Sequence, residues 1–171
     1  MSNRLYIRQK VFKILDHYEI RDEQGDPVYL VDQKLRLIGF AVKVRYANGE
    51  TAFTLEKDLL TLLRSRYRLH FANGSEIVLR RQLRLFRKNL DILPADLNLS
   101  VQGSLLNHDY ELLRGNDVIA TIHKAWISWG DVYEIEIFDP SVQDLCVGIM
   151  IAIDAILDAE KHQNAEPTND D

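Results

Sequence analysis

Basic residues are the strongest candidates for a ligand-binding site in this sequence. They follow the second strands of predicted hairpins or occupy the short apolar segments after them: Lys57, Arg80, Arg81, Arg84 and Lys124. Cationic side chains that emerge at similar heights on one sheet bind phosphate through charge-assisted hydrogen bonds. We therefore predict that these five residues bind an anionic ligand such as a lipid headgroup. The alternative is a solvated face, paired with some of the 26 Asp and Glu residues.

Catalytic and metal-binding patterns are absent from the sequence. It has no GxSxG, HExxH, Walker A or GxGxxG pattern. Five histidines lie without metal-ligand spacing, and we expect structural roles for them: His17, His70, His108, His123 and His162. His108 is followed by Asp109, but adjacent strand residues point to opposite faces of a sheet. The sequence therefore predicts no enzyme, no catalytic residue, no metal site and no cofactor.

The composition is typical of one globular domain. The chain has 171 residues, of which 46% are hydrophobic and 27% charged. We predict a single domain over residues 1–163 and a disordered acidic tail over 164–171. The net charge of -5 argues against a nucleic-acid binder.

The N-terminus does not resemble a signal peptide. Charges at Arg4, Arg8, Lys10 and Lys13 interrupt any apolar stretch. We therefore expect a cytoplasmic protein, one that associates with a membrane only at its periphery.

An apolar run near the C-terminus points to the architecture. Residues 145–157 read LCVGIMIAIDAIL, and as a helix they would extend about 20 Å, against about 30 Å for a bilayer core. This run is too short to span a membrane. A helix that is apolar on every side must be surrounded by other elements, and the preceding part of the chain is rich in strands.

Four glycine turns divide that preceding part into hairpins. They lie at 22–27, 47–50, 72–75 and 114–117, each between segments of alternating hydrophobicity. A fifth hairpin is predicted with Pro94-Ala95-Asp96 as its turn. Together with strands near Tyr6–Phe12 and Val132–Phe138, these hairpins give about 12 strands. The predicted fold is mainly β, a closed antiparallel barrel around a central hydrophobic C-terminal α-helix.

The predicted helix carries its own signals. Asp139 and Pro140 form a start signal as N-cap and first helical residue. Gly148 lets the barrel wall approach the helix closely. Cys146 is the only cysteine, and we expect a small buried hydrophobe rather than a reactive thiol.

Asp154 is the anomaly in the apolar run, because an isolated carboxylate in an apolar interior is costly. We expect it at the barrel mouth, hydrogen-bonded to backbone amides or an arginine; the alternative is a functional acid. Trp126 and Trp129 are expected to fill a corner of the barrel, with a membrane-interface position as the alternative.

Two segments carry a resemblance to a known family. Residues 124–137 (KAWISWGDVYEIEI) and 148–162 (GIMIAIDAILDAEKH), with the hairpin repeats, resemble the LURP-one-related family over roughly residues 5–162. The most specific positions are Trp126, Ser128, Trp129, Asp131, Tyr133 and the Ala-Ile-Asp sequence at 152–154. The resemblance implies the tubby C-terminal-like fold, a 12-stranded closed barrel threaded by one hydrophobic helix. Within that superfamily tubby proteins bind phosphoinositides and phospholipid scramblases associate with membranes.

Two classes of function remain open. The first is a non-catalytic binding module for an anionic ligand, such as a phospholipid headgroup or phosphoinositide, or for a protein partner. The second is a structural or regulatory protein-interaction domain with no small-molecule site. A contiguous basic site favours the first class, and basic residues dispersed among acids favour the second.

Overall fold

The structure, a computed structural model, describes residues 3–8, 17–35, 40–58, 66–84, 87–127 and 130–164. Within these ranges the chain forms twelve strands and one long helix, α1 (Gln143–Asn164). The strands are β1 (Asn3–Arg8), β2 (His17–Arg21), β3 (Pro27–Leu35), β4 (Phe40–Tyr46), β5 (Thr51–Asp58), β6 (Arg66–Phe71), β7 (Glu76–Arg84), β8 (Arg87–Leu93), β9 (Leu99–Ser104), β10 (Asp109–Arg114), β11 (Asp117–Ile127) and β12 (Gly130–Ile137).

The strands form a single antiparallel sheet that curls into a nearly closed barrel around α1. Their hydrogen-bonded order is β8-β7-β6-β5-β4-β3-β2-β1-β12-β11-β10-β9. Sequence neighbours are therefore sheet neighbours, except that β8 and β9 are the two ends of this order, and β1 pairs with β12. The predicted fold class, about 12 strands around one C-terminal helix, is confirmed.

The four glycine turns join strand pairs as predicted. Gly49, for example, has a φ of 90°, a left-handed conformation that glycine adopts without strain. The fifth predicted hairpin, at Pro94-Ala95-Asp96, is wrong. A 3-10 turn at Ala95–Leu97 connects β8 to β9, and these strands are the two ends of the hydrogen-bonded order. The two strands therefore lie beside each other where the barrel comes nearest to closing, but they do not form a hydrogen-bonded pair.

The interior side chains alternate along the strands and enclose the helix. Phe53 and Leu55 of β5 are fully buried, as is Leu69 of β6. On α1 the segment from Cys146 to Ile153 is buried at every position, which agrees with its uninterrupted apolar sequence. The core therefore lies between the inner face of the barrel and all sides of this helix.

The predicted start signal lies one 3-10 turn before α1, which begins at Gln143 and extends beyond the apolar run. Asp139 accepts a hydrogen bond from the Ser141 N–H (3.0 Å) and caps a 3-10 turn at Pro140–Val142. Within the described residues, one segment, Pro140–Leu157, has the length and composition of a membrane-crossing helix, but 61% of it is buried inside the barrel. This burial is typical of the core helix of a soluble protein.

Some predictions fall outside the described residues. The predicted first strand extended to Phe12, whereas β1 is described from Asn3 to Arg8. The side chain of Trp126, the whole of Trp129 and the predicted tail after residue 164 also lie outside them. Their expected roles stay predictions.

Gly148 lies at a point where the barrel wall approaches α1 closely. A Cβ atom at this position would lie 3.2 Å from the Leu69 Cδ2 and 3.5 Å from the Phe53 Cε2. Both neighbours are fully buried core residues. A larger side chain here must therefore displace the wall or shift the helix.

Replacing Gly148 with leucine should destabilise the protein by about 1–3 kcal/mol, because the added atoms overpack the core. The loss should appear despite a gain of up to about 1 kcal/mol in helix propensity. Chemical denaturation measures the net change in the free energy of unfolding. Ala159→Leu, at a partly exposed position of the same helix, is the matched control and should change stability by less than about 0.5 kcal/mol. Stabilisation by Gly148→Leu would contradict the close contact with Leu69.

Candidate functional site

A row of four charged residues crosses the outer wall of the barrel from β5 to β8. The strand register sets Asp58 opposite Arg66, Arg66 opposite Arg80, and Arg80 opposite Asp91. Neighbouring strands lie about 4.8 Å apart, so side chains that share a face contact each other across the row. Two guanidinium groups therefore lie side by side, with one carboxylate beyond each. We call these four residues the charged row.

Each of the two acids of the row forms an ion pair with an arginine: Asp91 with Arg80, and Asp58 with Arg68. Asp91 Oδ2 lies 3.2 Å from the Arg80 Nη2, and Asp58 Oδ2 lies 3.7 Å from the Arg68 Nη2. Among the described residues, the Nε of Arg66 is buried and has no hydrogen-bond partner. A buried donor without a partner is costly. An anion bound beside Arg66 and Arg80 would offset the like charges of the two guanidinium groups.

Of the five sequence-predicted residues, Arg80 belongs to the charged row. Lys57 lies close to it in register but on the inner face, with its Nζ 5.9 Å from the centroid of the Tyr67 ring. The Tyr67 hydroxyl donates to the Ala155 carbonyl (3.2 Å) in the last part of α1. Lys57 therefore makes a cation–π contact at the helix C-terminal end of the barrel.

The other three predicted residues lie elsewhere or have undescribed side chains. Lys124 is exposed on β11, opposite Tyr133, and β11 is six places from β5 in the strand order. Arg81 and Arg84 lie on β7, opposite Leu90 and Arg87. The described side chains thus bring together Arg80 and Arg66, and place Lys57 and Lys124 on different parts of the barrel.

Arg66 was missed by the sequence analysis, although a signal was present. The turn sets the register of this hairpin, in which paired residues are equally distant from Asn73. Arg66 and Arg80 are such a pair. Counting outward from the turn would have found it.

Asp154, the anomaly in the apolar run, lies among aromatic side chains about halfway along α1. Its Oδ1 lies 3.9 Å from the Nε2 of His108, whose ring is centred 4.4 Å from that of Tyr133. Burial, and then the charge of Asp154, raise the pKa of both the Tyr18 and the Tyr110 hydroxyl. The carboxylate is therefore a neighbour of a histidine and of phenols.

His108 is the buried member of the predicted His108-Asp109 pair. Its backbone has a φ of 50°, and its side chain is buried while that of Asp109 is exposed. The turn before β10 therefore directs His108 towards Asp154 of the helix.

A second polar network holds the N-terminal end of α1. Both Tyr29 and Tyr46 donate their hydroxyl protons to Asp144, the former at 2.5 Å. Gln143 donates its side-chain amide to the Tyr29 oxygen (3.0 Å) and accepts a hydrogen bond from Asn3 (3.0 Å). The hydrogen bond to Asp144, and then burial, raise the pKa of Tyr46 to about 12. Burial, and then the hydrogen bond to the same carboxylate, raise the pKa of the Tyr29 hydroxyl well above its ordinary value.

Nucleophilic and metal chemistry gain no support from the described part of the chain. There, no group of three His, Cys, Asp or Glu side chains could hold a metal ion. Cys146 is buried, and this burial raises the pKa of its thiol to about 12. A thiol of this kind is protonated at neutral pH and unreactive.

Comparisons with known proteins agree with the architecture. The family model described as LURP-one-related matches residues 3–154. An uncharacterized protein of Bacillus subtilis, YxjI, is 25% identical over 153 residues, which cover 90% of this chain and 93% of the relative. The X-ray structure of an Arabidopsis thaliana protein superposes with a TM-score of 0.65 at 13% identity and covers 91% of each chain. At that identity the likeness concerns the fold alone.

Replacing Asp144 with asparagine should lower the pKa of Tyr46 from about 12 towards the ordinary value of about 10. Since the folded state binds this phenolic proton more tightly than the unfolded chain does, the stabilisation is present below about pH 10 and is lost as the pH rises through about 12. Ultraviolet titration of tyrosine ionisation, with Tyr46→Phe to assign the signal, measures the shift. Asp117→Asn, in an exposed turn, should leave the titration unchanged. An unchanged titration in Asp144→Asn would contradict the network.

Proposed function

This chain belongs to the LURP-one-related family, and we propose that it is a non-catalytic binding module that holds an anionic ligand on the outer wall of its barrel. The observation that carries the proposal is the pair of opposed arginines, Arg66 and Arg80, on the outer wall of the barrel. The proposed ligand is a phosphate-bearing group such as a phospholipid headgroup or phosphoinositide.

The charge balance of the wall supports this ligand class. Like charges directly opposite each other destabilise a sheet unless an opposite charge lies between them. Asp91 approaches Arg80 from one side (3.2 Å), and Asp58 approaches Arg68 (3.7 Å). A phosphate accepts hydrogen bonds from two guanidinium groups at once, which is the geometry that arginine favours.

The position of the charged row supports a peripheral contact with a surface. The Arg80 side chain is 31% exposed, so it lies on the wall rather than in a deep cavity. A membrane surface that presents anionic headgroups reaches such a wall without insertion of α1, whose apolar residues stay inside the barrel. The proposed location is therefore cytoplasmic, with reversible attachment to anionic membranes.

The alternative is a protein-interaction domain with no small-molecule site. The observation in its favour is that the charged row is neutral in sum, because Asp58 and Asp91 match its two arginines. In that case the row is a solvated network of surface ion pairs, which contributes little to stability.

Sedimentation with vesicles separates these two functions. Vesicles that contain phosphoinositide should bind the protein, and neutral phosphatidylcholine vesicles should not. Binding should weaken as salt rises, because mobile ions screen the contact. Arg66→Gln and Arg80→Gln should each weaken binding about tenfold, the loss of one charge-assisted contact, with little change in the unfolding midpoint.

Lys43→Gln is the matched control, since it removes one exposed cation from β4 and should leave binding unchanged. Lys57→Gln, Lys124→Gln and the double variant of Arg81 and Arg84 test whether the sequence-predicted residues extend the site. Equal sedimentation with acidic and neutral vesicles, or equal loss in the Lys43 and Arg66 variants, would contradict the proposed function.

A further inference from the structure

At one end of β1, residues 3–5 extend past the end of β2 at Arg21, and we call this place the seam. Among the described residues, these strands have one registered pair, Tyr6 with Arg21, whereas β1 pairs with β12 from Asn3 to Arg8. Beyond Tyr6, the residues 3–5 of β1 have no registered partner in β2. Their peptide edge therefore borders an opening in the wall.

A cavity of about 400 Å³ occupies this opening. It is lined by residues 3–5 of β1, residues 22–24 of the β2–β3 turn, Val28 of β3 and Gln143 at the start of α1. This volume lies in the range of small-molecule sites. The lining combines one guanidinium, two carboxylates and three side-chain amides with the aliphatic groups of Leu5 and Val28.

The polar side chains of this seam cavity are held in place before any ligand arrives. Asp22 accepts hydrogen bonds from the backbone N–H groups of Gln24 and Asp26 (2.9 Å each), which fix the turn. Gln143 is held between Asn3 and Tyr29 (3.0 Å each). The cavity wall therefore continues into the network that anchors α1, so its shape is fixed by the fold.

Two of the three charged groups of the cavity, Arg4 and Glu23, differ in sign and lie close together. The Arg4 Nε and the Glu23 Oε1 are 3.8 Å apart. Among the described residues, Arg4 donates hydrogen bonds from its Nε and Nη2, both to Glu136, and its Nε also lies 3.6 Å from the Glu134 Oε1. The Nη1 of Arg4 keeps two N–H donors. Glu23 is half exposed and has no closer cation than Arg4 in that part of the chain.

We propose that the seam cavity binds a small zwitterion of the amino-acid or dipeptide type. The ligand's carboxylate accepts from the Arg4 guanidinium, and its ammonium group donates to Glu23. Its amide or backbone atoms meet the peptide edge of residues 3–5 and the side chains of Asn3 and Gln24, and its carbon atoms contact Leu5 and Val28.

The lining disfavours ligands with a single charge. A simple anion would lie beside the carboxylates of Asp22 and Glu23, and a simple cation would lie beside Arg4. Like-charge contacts of this kind reduce affinity. A molecule that carries both charges a few ångströms apart satisfies both sides of the cavity.

Calorimetric titration of the full chain with alanyl-alanine tests this inference. The unmodified dipeptide should bind, while its N-acetylated and C-amidated forms should each bind at least about tenfold more weakly, because each loses one charged contact. Glu23→Gln should weaken the binding of the dipeptide, so that its affinity becomes equal to that of the N-acetylated form. Arg4→Lys keeps the positive charge but removes the guanidinium donors. It should therefore reduce the difference in affinity between the dipeptide and its C-amidated form.

Glu50→Gln, in the exposed turn between β4 and β5, is the matched control and should leave the affinity unchanged. Unfolding midpoints of all variants show whether each is folded. No binding of the dipeptide, equal affinity for the three forms, or an equal effect of Glu23→Gln and Glu50→Gln would overturn the proposal. None of these outcomes depends on vesicle binding, which the charged row alone is proposed to mediate.

Discussion

Filling the inside of the barrel is the constraint on which the rest of the structure depends. A cylinder of twelve strands is wider than its own inward side chains can fill, and empty apolar space is costly. The helix α1 solves this because it is apolar on every side, with residues 146–153 all buried. Gly148 shows how tight the fit is, since even a methyl group there would lie 3.2 Å from Leu69.

Two carboxylates of α1 have polar neighbours on the barrel. At the start of the helix Asp144 accepts hydrogen bonds from Tyr29 and Tyr46, and about halfway along it Asp154 lies beside His108. These carboxylates fix the helix along the barrel axis without placing an isolated charge in the core. Because the interior is filled, binding is left to the outer wall and to the seam between β1 and β2. Both candidate sites lie there.

The sequence predicted local features well and long-range ones poorly. Glycine turns and alternating strands depend on neighbouring residues, so four hairpins and the start signal of the helix at Asp139 were found. The fifth hairpin failed because Pro94-Ala95-Asp96 reads as a turn, whereas its pairing depends on where the wall ends. Contacts such as Tyr29 with Asp144 join residues that are 115 positions apart, and no local pattern encodes them. Likewise, the height of Lys124 relative to Arg80 depends on the stagger of strands around the barrel.

The central claim is that the barrel cannot fold as one unit without α1. Chemical denaturation of a chain that ends at Asp139, compared with one that ends at Asn164, tests it most directly. The longer chain should unfold cooperatively with the midpoint of the full protein, because it keeps the whole described helix. The shorter chain should show no cooperative transition and should bind a hydrophobic dye, as expected of a barrel with an exposed apolar interior. A cooperative transition with an unchanged midpoint in the shorter chain would contradict the account.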